Sequence, residues 1–333
     1  MSAFDSLPSV TLAIPTLNEE KNIRGCLESI FSQDYPREKV EVLIADGFSR
    51  DRTRAIAKEF PVSLIDNPST DTEIGKMLCL HQAKNELFYY LDADIRLRGS
   101  EWIKKMVYPL VQEKEIVASF TRKFSPPEDC AFNRYLTYHP LQADPINEYF
   151  MVPIERTVVY RTKGYGVCDY QVGKIPPSGR CMFRREVLYS LIKDHKKFLE
   201  LDNLVICSAA GYTKFAYVPD AGIYHLHAKN LWQLVRKRLR NLNTSFLPEL
   251  ESRQFTWINL KTLGGWLKVI LWVIYANLFF PAAIRGIYKA IRYRDIACLY
   301  EPLTALILTD AIILNLLKRK SFLKFLRVLR GRK

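Results

Sequence analysis

The stretch Phe88-Tyr-Tyr-Leu-Asp-Ala-Asp-Ile95 constrains this chain more than any other. An aromatic, apolar run of this kind reads as a buried strand, and here it runs out into two aspartates one residue apart. Open α/β sheets bind ligands beyond the carboxyl ends of their strands. Alternate residues of an extended segment share a side, so Asp92 and Asp94 can face one crevice. Two carboxylates so placed repel, unless a hard divalent cation lies between them and a phosphate. A solvated Asp-x-Asp turn is common, so the pair is read with its context.

That context is an alternation of strands and helices. Val10–Ile14 is a short apolar run stopped by Pro15, and Thr16-Leu-Asn-Glu-Glu20 suits a helix start. Ile23, Leu27, Ile30 and Phe31 are spaced for one buried helical face. A second strand, Val40–Ile44, ends at Asp46-Gly47; a helix-like piece from Thr53 to Phe60 leads to Val62–Ile65; and a helix over Gly75–Lys84 precedes Phe88. Such alternation implies a right-handed, mostly parallel sheet with helices on both faces. Neither Gly-x-Gly-x-x-Gly nor Gly-x-x-x-x-Gly-Lys-Ser/Thr is present. Phosphates would then be held by metal rather than by a glycine cradle.

The chain has 333 residues, 48% of them hydrophobic, enough for one large domain and a smaller appendage. With 49 Lys and Arg against 35 Asp and Glu, the charge of +14 points to an anionic partner: nucleic acid, an acidic membrane face or phosphorylated substrates. Seven cysteines without Cys-x-x-Cys spacing argue for reduced thiols in the cytoplasm and against a zinc site. Residues 1–9 hold no apolar run, so no secretory signal is expected.

Ile14-Pro-Thr-Leu-Asn-Glu-Glu20, Ile44-Ala-Asp-Gly-Phe-Ser-Arg-Asp-Arg-Thr53 and Leu91-Asp-Ala-Asp-Ile95 occur in order at the ends of successive strands. Together they resemble the family 2 glycosyltransferases of the GT-A fold, over about the first two thirds of the chain. The resemblance implies that Pro15, Leu17 and Glu19 lie against a nucleoside and that Asp46 reads its base. It places Asp92 toward the ribose or sugar and Asp94 on a metal, Mg²⁺ or Mn²⁺, that bridges a diphosphate. Ser49, Asp51 and Thr53 complete the pattern around Asp46. As a plain turn residue beside Gly47, Asp46 would need none of them.

Residues 118–178 carry aromatics, prolines and turn formers without a clear order; Arg161, Lys163, Gly164 and Gly166 could shape an acceptor loop or a solvated one. Pro177-Ser-Gly-Arg-Cys-Met-Phe-Arg-Arg-Glu-Val-Leu188 resembles the family's turn, strand and helix on the acceptor side. In Phe198–Ile206, Glu200 stands where the family has its general-base aspartate, with Asp202 two residues on. Either carboxylate has the chemistry of a base, and Asp202 could instead cap a helix. His225 falls at the position of a family histidine that completes the metal site, and neutral imidazole is a ligand suited to Mn²⁺.

Leu231–Asn241 reads as a helix with a basic face. Gln233 and Arg236 partly match the Gln-x-x-Arg-Trp element of processive family members, but Lys237 stands where Trp is expected. Contacts to a diphosphate or lipid phosphate are what these two side chains could supply. Val269–Ile284 is uncharged and Ile296–Leu317 is a second apolar run, interrupted by Glu301 and Asp310. Arg285, Lys289, Arg292 and Arg294 fill the connection between them. A spanning hairpin would export that cationic loop against the positive-inside tendency, whereas re-entrant or in-plane helices would not. Lys318–Lys333 is a basic amphipathic tail suited to an anionic membrane.

These features lead to three expected regions: a GT-A catalytic domain over residues 1–230, a basic connecting helix over 231–263 and a membrane-attachment region over 264–333. The expected protein is a metal-dependent inverting glycosyltransferase on the cytoplasmic side of the cell membrane. It would use a nucleotide-diphospho-sugar and a lipid-linked or glycan acceptor, in glycan or polysaccharide assembly, and would bind no nucleic acid. A polyprenyl-phosphate sugar synthase is the alternative within the fold. A non-catalytic basic membrane scaffold is the alternative outside it.

Overall fold

In the computed structural model the first apolar run forms β1 (Val10–Thr16), buried along its whole length. It lies between two parallel neighbours, β2 (Val40–Asp46) and β4 (Leu87–Tyr90), with β3 (Ser63–Asp66) outside β2. Residues 7–126, 129–139, 144–176, 178–248, 253–255, 258–259 and 262–318 are described. Val10, Leu12 and Ile14 are fully buried, each contributing about 1.5–3 kcal/mol by leaving water.

Pro15 does not stop β1, contrary to the sequence reading. The Ala13 carbonyl accepts from the Leu91 N–H, on the β4 side, and Pro15 shares that side two residues on. The β1–β4 register ends at Ala13 with Tyr90, so no ladder bond is asked of the missing N–H. The first helix also begins later than expected, as α1 (Ile23–Phe31), because Thr16 belongs to the strand and Asn18 takes a left-handed φ of 56°. Next come α2 (Thr53–Ala57), shorter than its expected end at Phe60, and α3 (Thr72–Gln82), capped by the Asp71 carboxylate.

After β4 the chain continues through β5 (Ile95–Leu97), α4 (Trp102–Gln112), β6 (Ala118–Phe120) and β7 (Lys123–Phe124). It resumes with β8 (Val158–Arg161), β9 (Gly166–Asp169), β10 (Cys181–Arg184), α7 (Arg185–Ile192), α8 (Glu200–Ala209), β11 (Lys214–Tyr217) and β12 (Ile223–His225). The main sheet has the order β3-β2-β1-β4-β10-β6-β11-β9-β8. It is parallel from β3 to β4 and mixed beyond, since β10 runs antiparallel to both β4 and β6. A small sheet orders β5-β12-β7. The Tyr160–Gly166 segment is a hairpin of β8 and β9, which meet at Arg161 and Gly166.

The chain divides into two units: Met1–Phe124 with Pro153–His225, and Ser125–Val152 with Leu226–Lys333. Residues 125–152, which a linear reading leaves inside the first 230, therefore group with the C-terminal helices. The second unit is helical: α5 (Ala131–Thr137), α6 (Pro145–Phe150), α9 (Leu231–Asn241), α10 (Leu263–Asn277), α11 (Phe280–Tyr293) and α12 (Glu301–Leu317). Phe132, Tyr135 and Leu136 pack with Leu234, Val235 and Leu308. Trp272, Ala276, Ala282 and Ala305 gather around Phe150.

The run read as Val269–Ile284 is not one helix. It breaks between α10 and α11 with a 79° bend. Phe279 adopts φ 60° there, and Pro281 would meet the carbonyl of Asn277 if the helix continued. Arg285, Lys289 and Arg292 lie on α11 rather than in a connecting loop, with Arg294 just past its end. Ile296–Leu317 is long and apolar enough to cross a membrane, and 44% of its most apolar stretch is buried. The tail from residue 319 onward, with its amphipathic reading, lies outside the described residues, as does Pro177.

Candidate active site

Parallel register brings the first carboxylates together. Thr16 stands opposite Asp46, and Asp46 opposite Asp66, all at the carboxyl edge of the sheet. Asp46 is fully buried. It accepts from Thr16 Oγ1 at 2.9 Å, Ser49 N–H at 2.9 Å, Ser49 Oγ at 2.6 Å and Arg54 at 3.2 Å. Burial alone would raise its pKa, and these donors reverse that and hold it below the ordinary aspartate value. A carboxylate has about four lone-pair positions, so all of those on Asp46 are engaged. Reading a base directly would require one of these donors to give way.

The loops after β1 and β2 are tied to each other. Asn18 N–H donates to Ser49 Oγ at 2.8 Å, Glu19 N–H to Thr53 Oγ1 at 2.7 Å, and Glu20 N–H to Asp51 Oδ2 at 3.1 Å. The Glu19 carboxylate accepts from Asn22 at 2.7 Å. Pro15 is buried, whereas Leu17 presents its side chain to solvent beside Gly47. A Cβ on Gly47 would come to 3.3 Å from the Thr70 backbone and 3.4 Å from Leu17.

Strand direction explains the next contact. Because β10 is antiparallel to β4, its amino end meets the carboxyl end of β4, and the Tyr90 hydroxyl donates to the Gly179 carbonyl at 3.0 Å. The neighbouring Arg180 then reaches Asp92 in a direct ion pair. Burial pushes the Asp92 pKa up, but Arg180 and then Lys76 outweigh it, so this carboxylate stays ionised far below its ordinary range. In the small sheet, β12 pairs antiparallel with β5 and sets His225 opposite Ile95. His225 Nε2 lies 3.4 Å from Asp94 Oδ2. Burial, with the charge of Lys123, lowers the His225 pKa to about 4 and keeps the imidazole neutral.

A third cluster joins α3 and α8. Lys76 Nζ lies 2.6 Å from Glu200 and 3.1 Å from Glu73, above the face of Tyr90 at 5.1 Å from the ring centre. Burial raises Glu73 to about 7. The Glu200 carboxyl is held low, because Lys76 and Arg180 together outweigh its desolvation. Asp202 is buried within the first turns of α8, and the cap residue of that helix is Leu199, so Asp202 is not the cap.

The structure thus brings Asp92, Asp94, His225 and Glu200 into one charged neighbourhood of the first unit and sets Asp46 at its sheet edge. Gln233 and Arg236 lie on α9 in the second unit, Gln233 accepting from the Lys229 N–H at 2.7 Å and Arg236 exposed. Lys76, Arg180 and Lys123 escaped the sequence reading. The signals were slight: a lone lysine on an otherwise apolar helix face, and an arginine beside a glycine turn.

With this geometry, residues 11–192 match the family model described as glycosyl transferase family 2, more than half of the chain. The chain belongs to glycosyl transferase family 2. That membership sets aside the reading as a non-catalytic scaffold. The family 2 chain is 32% identical over 108 residues to glycosyltransferase AglE of Haloferax volcanii, a match covering 31% of this chain and 35% of that protein. It is 54% identical over 50 residues, 15% of this chain and 16% of the other, to a dolichyl N-acetyl-alpha-D-glucosaminyl phosphate 3-beta-D-2,3-diacetamido-2,3-dideoxy-beta-D-glucuronosyltransferase of Methanococcus voltae. The aligned stretches therefore span about a third or less of these relatives. Mannosyltransferase PcManGT from Pyrobaculum calidifontis, solved in complex with GDP-Man and Mn2+, superposes with a TM-score of 0.52 at 19% identity, over 94% of this chain and 88% of that one. This likeness bears on the fold, and the GT-A arrangement expected from the sequence is the one observed.

Proposed function

We propose that this family 2 enzyme is a metal-dependent inverting glycosyltransferase. It moves a sugar from a nucleotide-diphosphate donor to a lipid-linked acceptor at the cytoplasmic face of the cell membrane. The observation that carries the reading is the Asp94–His225 pair beside Asp92. Asp94 Oδ1 is buried without a hydrogen-bond partner among the described residues, and the facing imidazole is neutral. One carboxylate oxygen and one neutral ring nitrogen form a donor set suited to Mg²⁺ or Mn²⁺. Bound there, the ion would supply Lewis-acid stabilisation to the departing diphosphate.

The chain's own residues do the rest. Arg180 keeps Asp92 ionised and oriented for the sugar or ribose hydroxyls. Pro15, Leu17 and Glu19 border the nucleoside, with Asp46 shaping the loop around it. Glu200, ionised at neutral pH, accepts the acceptor proton at Oε2, the oxygen that Lys76 does not hold. Asp202 is the second candidate for that step. On α9, Gln233 and Arg236 contribute to an acceptor phosphate. The lipid-linked acceptor draws support from the dolichyl N-acetyl-alpha-D-glucosaminyl phosphate in the name of the M. voltae relative.

A second reading has its own observation. The 2.6 Å bond to Lys76 makes Glu200 a weak base. A polyprenyl-phosphate acceptor is already ionised and needs none, so a polyprenyl-phosphate sugar synthase fits that pairing. The test is thermal stabilisation of the full-length protein by a panel of nucleotide-sugars, with MnCl₂ or with EDTA. Stabilisation that needs both nucleotide-sugar and metal, and that is lost in Asp94→Ala, supports the reading. Equal stabilisation in EDTA would overturn the metal, and no response to any nucleotide-sugar would overturn the donor.

A further inference from the structure

Helix α11 is built inside out. Its inward face is Ala282, Gly286 and Lys289, spaced at one turn. A Cβ on Gly286 would lie 2.9 Å from the Cys298 carbonyl oxygen and 3.2 Å from Glu301 Cβ, so this face packs closely against the next segment. Lys289 is only 5% exposed and gives its ammonium to Glu148 at 2.7 Å and Glu301 at 3.2 Å. Arg285 reaches Glu148 at 2.8 Å. The outward face carries Phe280, Ile284, Ile287 and Ile291, exposed by 76%, 69%, 51% and 74%. A helix facing water places such side chains the other way round. On α10, Leu263, Leu267, Ile270 and Ile274 are also exposed along one face.

The charges of the second unit show what covers these faces. Among its described residues, every exposed charged side chain is Lys or Arg: Lys229, Arg236, Arg240, Lys268, Arg292, Arg294 and Lys318. Its described acids are buried or half-buried. A second protein copy docked by this same face would place cations against cations. An anionic lipid surface instead satisfies apolar face and charge together. Length and packing exclude simple spans for the bent pair. At about 1.5 Å per residue, α10 and α11 each reach only about 21–23 Å, short of a roughly 30 Å hydrocarbon core. The longer Ile296–Leu317 segment is partly taken up in the unit's own core, where Thr309 accepts from the Trp272 indole at 2.9 Å and Glu301 is fully buried.

We infer that α10 and α11 form a monotopic dock for an anionic bilayer, with α11 lying in the plane of one leaflet and its charged face turned inward. The inference deepens the membrane part of the proposed function and rests on its premise that the enzyme works at a lipid surface. Its binding readout nevertheless needs neither donor nor acceptor. Full-length protein is floated with vesicles of pure phosphatidylcholine and of phosphatidylcholine containing one third phosphatidylglycerol. Binding to the anionic vesicles should be at least tenfold tighter, and Ile284→Asp with Ile291→Asp should lower it at least tenfold. Both positions are exposed, and folding of the double variant is checked by its nucleotide-sugar thermal shift. Ile284→Cys, Ile287→Cys and Ile291→Cys, each made in a background with the seven native cysteines replaced by Ser or Ala, spin-labelled and read by depth quenching, should lie at one depth. A spanning helix would instead grade them over about 10 Å. Wild-type-like flotation of the double variant, absence of flotation by the parent, graded depths, or a soluble dimer that ignores vesicles would each overturn the dock. A parent protein that fails to float yet keeps its donor shift separates failure of the dock from failure of the glycosyltransferase reading.

Discussion

Replacing Lys76 with Met tests the electrostatic account of the site. The two side chains have similar length, so the change removes charge while leaving little cavity. The ammonium lies 2.6 Å from Glu200 and 3.1 Å from Glu73, on a side chain only 2% exposed. Removing one partner of a buried ion pair costs about 3–5 kcal/mol. The two carboxylates retain 28% and 25% exposure, so water recovers part of that, and about 2–3 kcal/mol is expected at pH 8. At roughly 2–4 °C per kcal/mol, Tm should fall by about 4–12 °C. The pH dependence has a definite sign. Glu73, raised to about 7 from 4.5, favours the folded state below its unfolded value and loses that contribution as pH climbs through 7. Without Lys76 both carboxylates titrate higher, so the folded variant takes up protons and its deficit shrinks toward pH 5.5. Thermal unfolding of wild type, Lys76→Met and Lys76→Arg at pH 8 and pH 5.5 reads this directly. A deficit below about 0.5 kcal/mol at pH 8, or one equally large at both pH values, would refute the reasoning.

Glu200→Gln should lower kcat by about 10²–10⁴ with donor KM unchanged if Glu200 is the base, whereas near-normal turnover points to a phosphate acceptor. Asp94→Ala should abolish the Mn²⁺ dependence of nucleotide-sugar binding, measured by titration calorimetry with and without metal; persisting dependence would move the metal elsewhere. Asp46→Ala takes the shared acceptor from the Thr16 and Ser49 hydroxyls, while Arg54 keeps Asp66 at 2.8 Å, and should cost about 1–3 kcal/mol in urea unfolding. Because the Asp46 pKa is lowered in the fold, that deficit should be present at neutral pH and disappear as pH falls through the folded value. A deficit that persists in acid would show that packing, not charge, carries the effect.

The alternating strands, the aspartates that follow β4 and the histidine that closes β12 were legible in the amino-acid order, because each depends on local pattern: a buried run, a turn, a residue at a strand end. The apolar character of the C-terminal third was legible for the same reason. Other features depend on contacts between distant segments. Pro15 could remain in a strand only because the β1–β4 ladder stops short of it, which no property of Val10–Thr16 reveals. Arg180 meets Asp92 across 88 positions because β10 runs antiparallel to β4. Lys76 pairs with Glu200 across 124 because α3 and the start of α8 converge. The cations read as a loop between two apolar runs became a helix whose lysine faces inward. Glu148 and Glu301, from segments far apart in the chain, supply the counter-charge that makes its burial affordable. Composition sets which groups must find partners; only the tertiary structure decides which partner comes within reach.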